Sequence, residues 1–147
     1  MDSSVKEVLS QAWVKELLNQ ALPARLATAD PRTMQPHVVP VWFEWDGERI
    51  WISSFRSTRK IREIRRNPRI SIVVDVDNGP LGTCAVTMEG RAELIADPEV
   101  VVPRSTTIYA RYLGEEGVKD PEPASWIVDP ENLLICLAPE KVYTFRG

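Results

Sequence analysis

The sequence has 147 residues, 44% hydrophobic and 27% charged, which are globular averages and exclude a disordered, collagenous or coiled-coil chain. Its net charge of −3 counts against general nucleic-acid binding. No uncharged run exceeds about 11 residues, well short of the ~20 that a membrane helix needs. The length predicts one domain over residues 1–147. The N-terminus carries Asp2, Lys6 and Glu7 around no apolar stretch, which does not read as a secretory signal. Cys84 and Cys136 have no CxxC context, and together these features predict a reducing, cytoplasmic setting.

In chain order, Val5, Val8/Leu9, Ala12/Trp13 and Leu17 recur at helical spacing and predict an amphipathic helix over 5–22, stopped by Pro23. A short strand over 24–29 follows, then a turn at Asp30-Pro31-Arg32-Thr33. Residues 36–45 are β-branched and aromatic, and Asp46-Gly47 predicts a hairpin back into Ile50–Ser53. Ser57 or Thr58 caps a short helix bearing Ile61 and Ile64, which Asn67-Pro68 ends. Strands are predicted at 70–76 and 85–95, with a turn at Asn78-Gly79-Pro80 between them and a bulge or barrel bend at Gly90. A helix opens at Asp97-Pro98-Glu99, meets Pro103 and resumes over 108–113. The polar, Pro-rich stretch 115–125 reads as a long loop or lid, and strands at 133–137 and 142–145 close the chain. Six or seven short antiparallel strands with hairpin-length links suit a small barrel with peripheral helices.

The charge is not evenly spread. Seven of the 18 basic residues fall within the 14 positions from Arg56 to Arg69, opposed only by Glu63. Such a block in an acidic chain points to a local anionic ligand. Ser53 and Ser54 end a strand, and Ser57, Thr58, Arg59 and Lys60 open a helix. Unpaired backbone N–H groups and the positive end of the helix dipole favour an anion there. The same residues also fit a solvated basic helix face. His37 is the only histidine, and with no second ligand nearby it predicts no metal site. Ser53 and Ser54 lack a G-x-S-x-G context, so no catalytic triad is assigned. Trp42, Trp45 and Trp51 fall in one hairpin as core, interface or ring-stacking residues.

Taken together, Gln35-Pro36-His37-Val38-Val39-Pro40-Val41-Trp42-Phe43-Glu44-Trp45-Asp46-Gly47, Ile50–Ser54, the run Arg59–Ile72 and Val86–Ala92 resemble the pyridoxamine 5′-phosphate oxidase-like superfamily of FMN-binding split β-barrel proteins. The resemblance is strongest over 20–97. It implies a six-stranded antiparallel split β-barrel that forms a homodimer, with flavin between the subunits. It implies that Thr58, Arg59 and Lys60 hold the cofactor phosphate. It further implies that Val38, Val39, Pro40, Val41, Trp42 and Phe43 run beside the isoalloxazine ring, and that Ser53 and Ser54 sit by the ribityl chain and phosphate. The ring chemistry belongs to the cofactor, so no catalytic side chain is required. Ala85 stands where the oxidase carries a glutamine, and Val142–Gly147 lacks its basic residues and histidine, which speaks against pyridoxamine phosphate as substrate. The implied function is an FMN-dependent oxidoreductase acting on a small planar organic molecule, with Tyr109 and Tyr112 as candidate wall residues. The deazaflavin coenzyme F-420 is an alternative cofactor, with Arg56, Arg62 or Arg65 along its tail. A non-catalytic protein that sequesters flavin or haem, and an anion-binding regulatory or nucleic-acid module, are rival readings.

Overall fold

The alternating segments become eight strands, accompanied by five helices, in a computed structural model that describes residues 1–147. Two short helices, α1 (Ser3–Leu9) and α2 (Ala12–Leu18), replace the single predicted one. The chain turns at Ser10-Gln11, where Gln11 has an extended ψ of 137°. The turn lets Val5 and Leu9 from one helix and Val14, Leu17 and Leu18 from the other enter the same core. β1 (Ala24–Ala29) then pairs on one side with β2 (Pro36–Val41) and on the other with β5 (Arg69–Gly79).

The run 36–45 is not one strand. It breaks at Trp42-Phe43, and only the two-residue β3 (Glu44–Trp45) returns through the Asp46-Gly47 turn to β4 (Ile50–Phe55). Asp46 fixes that turn by accepting from the Glu48 and Arg49 backbone N–H groups, and Gly47 supplies its φ of 101°. After α3 (Arg59–Arg66), β5 meets β6 (Gly82–Ile95) through a turn at Pro80-Leu81, two residues later than predicted. α4 (Pro98–Gly117) and α5 (Pro121–Val128) lead to β7 (Asn132–Leu137) and β8 (Lys141–Arg146). The order β2-β1-β5-β6-β7-β4-β3 runs along the sheet, and β8 pairs with β6. β2, β3 and β8 each pair on one side only, so the barrel is split. Trp42 and Phe43 link β2 to β3 across the seam between those two edges.

β6 makes this topology possible. Its first half pairs with β8 and its second half with β7, so the sheet divides along one strand. Gly90 sits at the division. The core between the layers is built from Leu26, Ile52, Ile72, Met88 and Leu133, all essentially without exposure. Each contributes about 1.5–3 kcal/mol on burial. On the opposite face of β2-β1-β5-β6-β8, the paired rows place Val38, Ala27 and Ser71 side by side, and likewise Val73, Thr87 and Tyr143. Val38, Tyr143 and Phe145 are all more than half exposed there.

Asp30, at the end of β1, ties this sheet to α3. Its carboxylate accepts from the Arg32 backbone N–H at 2.9 Å, from the Arg32 guanidinium at 2.8 Å, and from Arg66 of α3 at 3.3 Å. The Arg32 side chain and then its backbone N–H hold the Asp30 carboxyl well below the usual carboxylate range. A lowered folded pKa gives stability that is complete above the unfolded value of about 3.9 and is lost as the pH falls through the folded one. Asp30→Asn is therefore expected to flatten the fall in urea midpoint below about pH 4. An acid limb unchanged by the substitution would remove Asp30 from this role.

Candidate functional site

Beside the seam, β2, β4, α3 and α4 frame a groove of about 330 Å³, lined by Pro23, Pro40, Val41, Trp42, Ser53, Lys60 and Tyr109. Its aromatic wall follows from α4, which packs across the seam. The Trp42 ring stacks on Tyr112, with centroids 4.7 Å apart and planes 5° from parallel, and Tyr109 meets its edge at 5.8 Å. Tyr112 also pins the backbone of the seam. Its hydroxyl accepts from the Phe43 N–H at 3.1 Å and donates to the Leu22 carbonyl at 2.8 Å. Arg111 adds a second clamp by donating to the Phe43 and Gln20 carbonyls, both at 2.9 Å. The segment 115–125 is thus the kinked end of α4 and the start of α5; α4 carries Tyr109 to the groove, while Tyr112 stacks on Trp42 and does not line it.

The other end of the groove is cationic. The eight-residue α3 starts after Thr58, whose side chain makes no cap bond to the helix. Its hydroxyl instead donates to the Phe55 carbonyl at 2.9 Å and lies 3.2 Å from the Ser54 hydroxyl. The first-turn N–H groups of α3 are left for another partner. Most of the basic block already has one. Arg56 pairs with Glu131, Arg59 with Glu63, Arg66 with Asp30 and Arg69 with Glu140, while Arg62 donates to the Ser57 carbonyl. Lys60 differs. It is half-buried at the groove, and desolvation alone pushes its ammonium pKa down, with no carboxylate to offset it. Further along α3, the buried Glu63 accepts from Thr28 at 2.7 Å and from Arg59 at 3.1 Å. Burial would raise the Glu63 pKa, but these two bonds hold it below the ordinary glutamate value.

Of the residues singled out from sequence, Pro40, Val41, Trp42, Ser53 and Lys60 come together around the groove. Thr58 and Arg59 flank the α3 start. The Val38 side chain points to the opposite sheet face, and Val39 packs on the core. Phe43 and Ser54 are buried and do not line the groove. Behind Ser53 lies a polar cluster that pattern reading missed. The Ser53 hydroxyl donates to Asn132 Oδ1 at 2.6 Å, accepts from Ser105 at 3.1 Å and lies 3.2 Å from the Tyr109 hydroxyl. Ser105 is 0% exposed and Asn132 4%. Ser105 did carry a signal, since it shares the helical spacing of the apolar residues Val101 and Ile108. Asn132 merely precedes a strand and carried none.

The sequence matches the profile described as pyridoxamine 5′-phosphate oxidase over residues 11–146. The chain belongs to the pyridoxamine 5′-phosphate oxidase family. No curated protein matches it closely enough to add an activity to that membership. Among solved structures, the conserved hypothetical protein Rv2991 from Mycobacterium tuberculosis superposes with a TM-score of 0.76 at 23% identity, over 93% of this chain and 84% of that one. An F420 reductase gives 0.67 at 24% identity, over 88% and 94%. HutZ, the heme storage protein from Vibrio cholerae, gives 0.71 at 20% identity, over 92% and 93%. At these identities the likeness establishes the split-barrel fold shared with the oxidase family, and the groove must speak for its own ligand.

Proposed function

We propose that this chain is a flavin-dependent oxidoreductase that binds FMN in the seam groove and acts on a small planar organic substrate. The observation that carries the reading is Lys60, a half-buried cation without a carboxylate, beside the unpaired N–H groups that start α3. A desolvated lone charge is costly in an ordinary fold, and a phosphate would complete it. Thr58 and the outer nitrogens of Arg59 add donors to the same anion. Trp42 and the backbone of β2 would supply a flat wall for a ring, and Ser53 would add its hydroxyl oxygen to the same groove. When bound, the flavin supplies the redox chemistry, and the residues present serve to orient it. None of them needs to act as acid or base.

The open groove and the exposed sheet face with Val38, Tyr143 and Phe145 support a homodimer, in which a second copy covers the apolar surface. A second cofactor is favoured by one feature of α3. Arg65 has no carboxylate partner, and it offers a free cation to an acidic tail such as that of deazaflavin coenzyme F-420. Fluorescence titration of the purified chain with FMN and with F-420 tests both readings. One FMN bound per chain, turned over with NAD(P)H and an added acceptor, is the expected result. Preferential F-420 binding would transfer the reading to the deazaflavin. Binding of neither would sink it.

A further inference from the structure

The polar cluster behind Ser53 has only one consistent arrangement of protons, and a backbone carbonyl sets it. Asn132 lies 3.2 Å from the Ile127 carbonyl, which can only accept, so the Asn132 amide must turn its Nδ2 toward it. The second Nδ2 proton goes to Ser105 Oγ at 3.0 Å. Oδ1 therefore faces Ser53, and the single Ser53 proton is committed to it at 2.6 Å. Ser105 donates its own proton to Ser53 at 3.1 Å. The Ser53 oxygen has one lone pair left for Tyr109, 3.2 Å away. Tyr109 must then donate.

The consequence reaches the groove. Tyr109 is one of its lining residues, held edge-on to Trp42 at 5.8 Å and to Trp126 at 5.9 Å. With its only proton turned back to Ser53, its oxygen offers lone pairs alone to whatever lies in the groove. We propose that Tyr109 is a specificity residue that accepts a hydrogen bond from an N–H or O–H of the bound ligand, with Asn132, Ser105 and Ser53 as positioning residues that fix this direction. Burial raises the Tyr109 pKa, which keeps the phenol neutral and its proton in place at neutral pH. The inference rests on the groove being the ligand site, and it adds the chemistry that the ligand must present. A flavin can satisfy it through its ring N–H or through a ribityl hydroxyl. A ligand edge bearing only carbonyl oxygens would face a second acceptor across the contact and be rejected.

Two measurements on the full chain test this. The chain has three tyrosines, so subtracting the Raman spectrum of Tyr109→Phe from that of the wild type isolates the Tyr109 ring doublet. A donor-type doublet that shifts in Ser53→Ala is expected. An acceptor-type doublet, or one indifferent to Ser53→Ala, overturns the proposed direction without reference to any ligand. Tyr109→Phe is next titrated with FMN and with lumiflavin, which lacks the ribityl chain. Affinity should fall about three- to tenfold. A loss for both ligands assigns the contact to the ring N–H, and a loss for FMN alone assigns it to a ribityl hydroxyl. Unchanged affinity for both overturns the recognition role. A wild-type chain that binds neither flavin would overturn the proposed cofactor instead, with the doublet still deciding the direction.

Discussion

Lys60→Ala is expected to weaken FMN binding by about tenfold to a hundredfold while leaving the fold as stable as before, or more so. A charge-assisted hydrogen bond contributes about 1.5–3 kcal/mol, and each 1.4 kcal/mol is a factor of ten in affinity. Lys60 is the cleaner target of the two cations at the start of α3. Arg59→Ala would also strip the buried Glu63 of its partner at 3.1 Å and leave a carboxylate held only by Thr28. Lys60 has no such dependant. Its depressed pKa means that the folded state carries this charge at a disadvantage at neutral pH, a cost relieved only as the pH rises toward the unfolded value of about 10.4. Removing the ammonium therefore separates binding from stability. Flavin fluorescence titration read beside thermal melting checks both halves, and unchanged affinity in the folded variant would remove Lys60 from the phosphate site.

Gly90→Val is expected to destabilise the barrel by about 1–3 kcal/mol, because it overpacks the point where the sheet divides. A Cβ at this position would stand 2.9 Å from the Leu137 methyl, 3.3 Å from the Glu140 nitrogen and 3.4 Å from the Ala138 oxygen. The methyl can rotate away. The two backbone atoms belong to the link between β7 and β8, and the Glu140 N–H is bonded to the Glu89 carbonyl at 2.8 Å, so they cannot retreat without loosening β6 itself. For a chain of this length the loss corresponds to a melting temperature lower by about 2–12 °C. Calorimetry of the variant decides the point, and a melting temperature equal to wild type would mean that the bend tolerates a side chain.

Much of this architecture was legible in the residues. The cap-and-stop grammar around Thr58 and Asn67-Pro68 placed α3, and the isolated Gly90 marked the division of the sheet. The start of α3 was legible as a candidate anion site, but sequence does not say which cations of the basic block are already paired. Only the packed chain separates Lys60 from Arg56, Arg59, Arg66 and Arg69. The break at Trp42-Phe43 was hidden for a different reason. Aromatic and β-branched residues read as continuous strand, while the break is imposed from α4 by the Tyr112 and Arg111 hydrogen bonds to Phe43. The prolines of 115–125 misled in the same way. Pro121 and Pro123 occupy the first turn of α5, where a missing N–H costs nothing, so they start a helix rather than a loop. Pro103 is tolerated inside α4 because Val101, Ser105 and Ile108 are buried on the face that packs toward β4 and β7.

Comparing FMN with riboflavin tests most directly whether the start of α3 holds a phosphate. The two differ only in the phosphate, so the ratio of their affinities isolates the contribution of Lys60, Thr58, Arg59 and the first-turn N–H groups. Titrated against the same wild-type protein, FMN is predicted to bind at least tenfold more tightly than riboflavin, with the advantage largely lost in Lys60→Ala. Equal affinities for the two flavins would contradict the account, since the ring would then bind without the anion site that defines the groove.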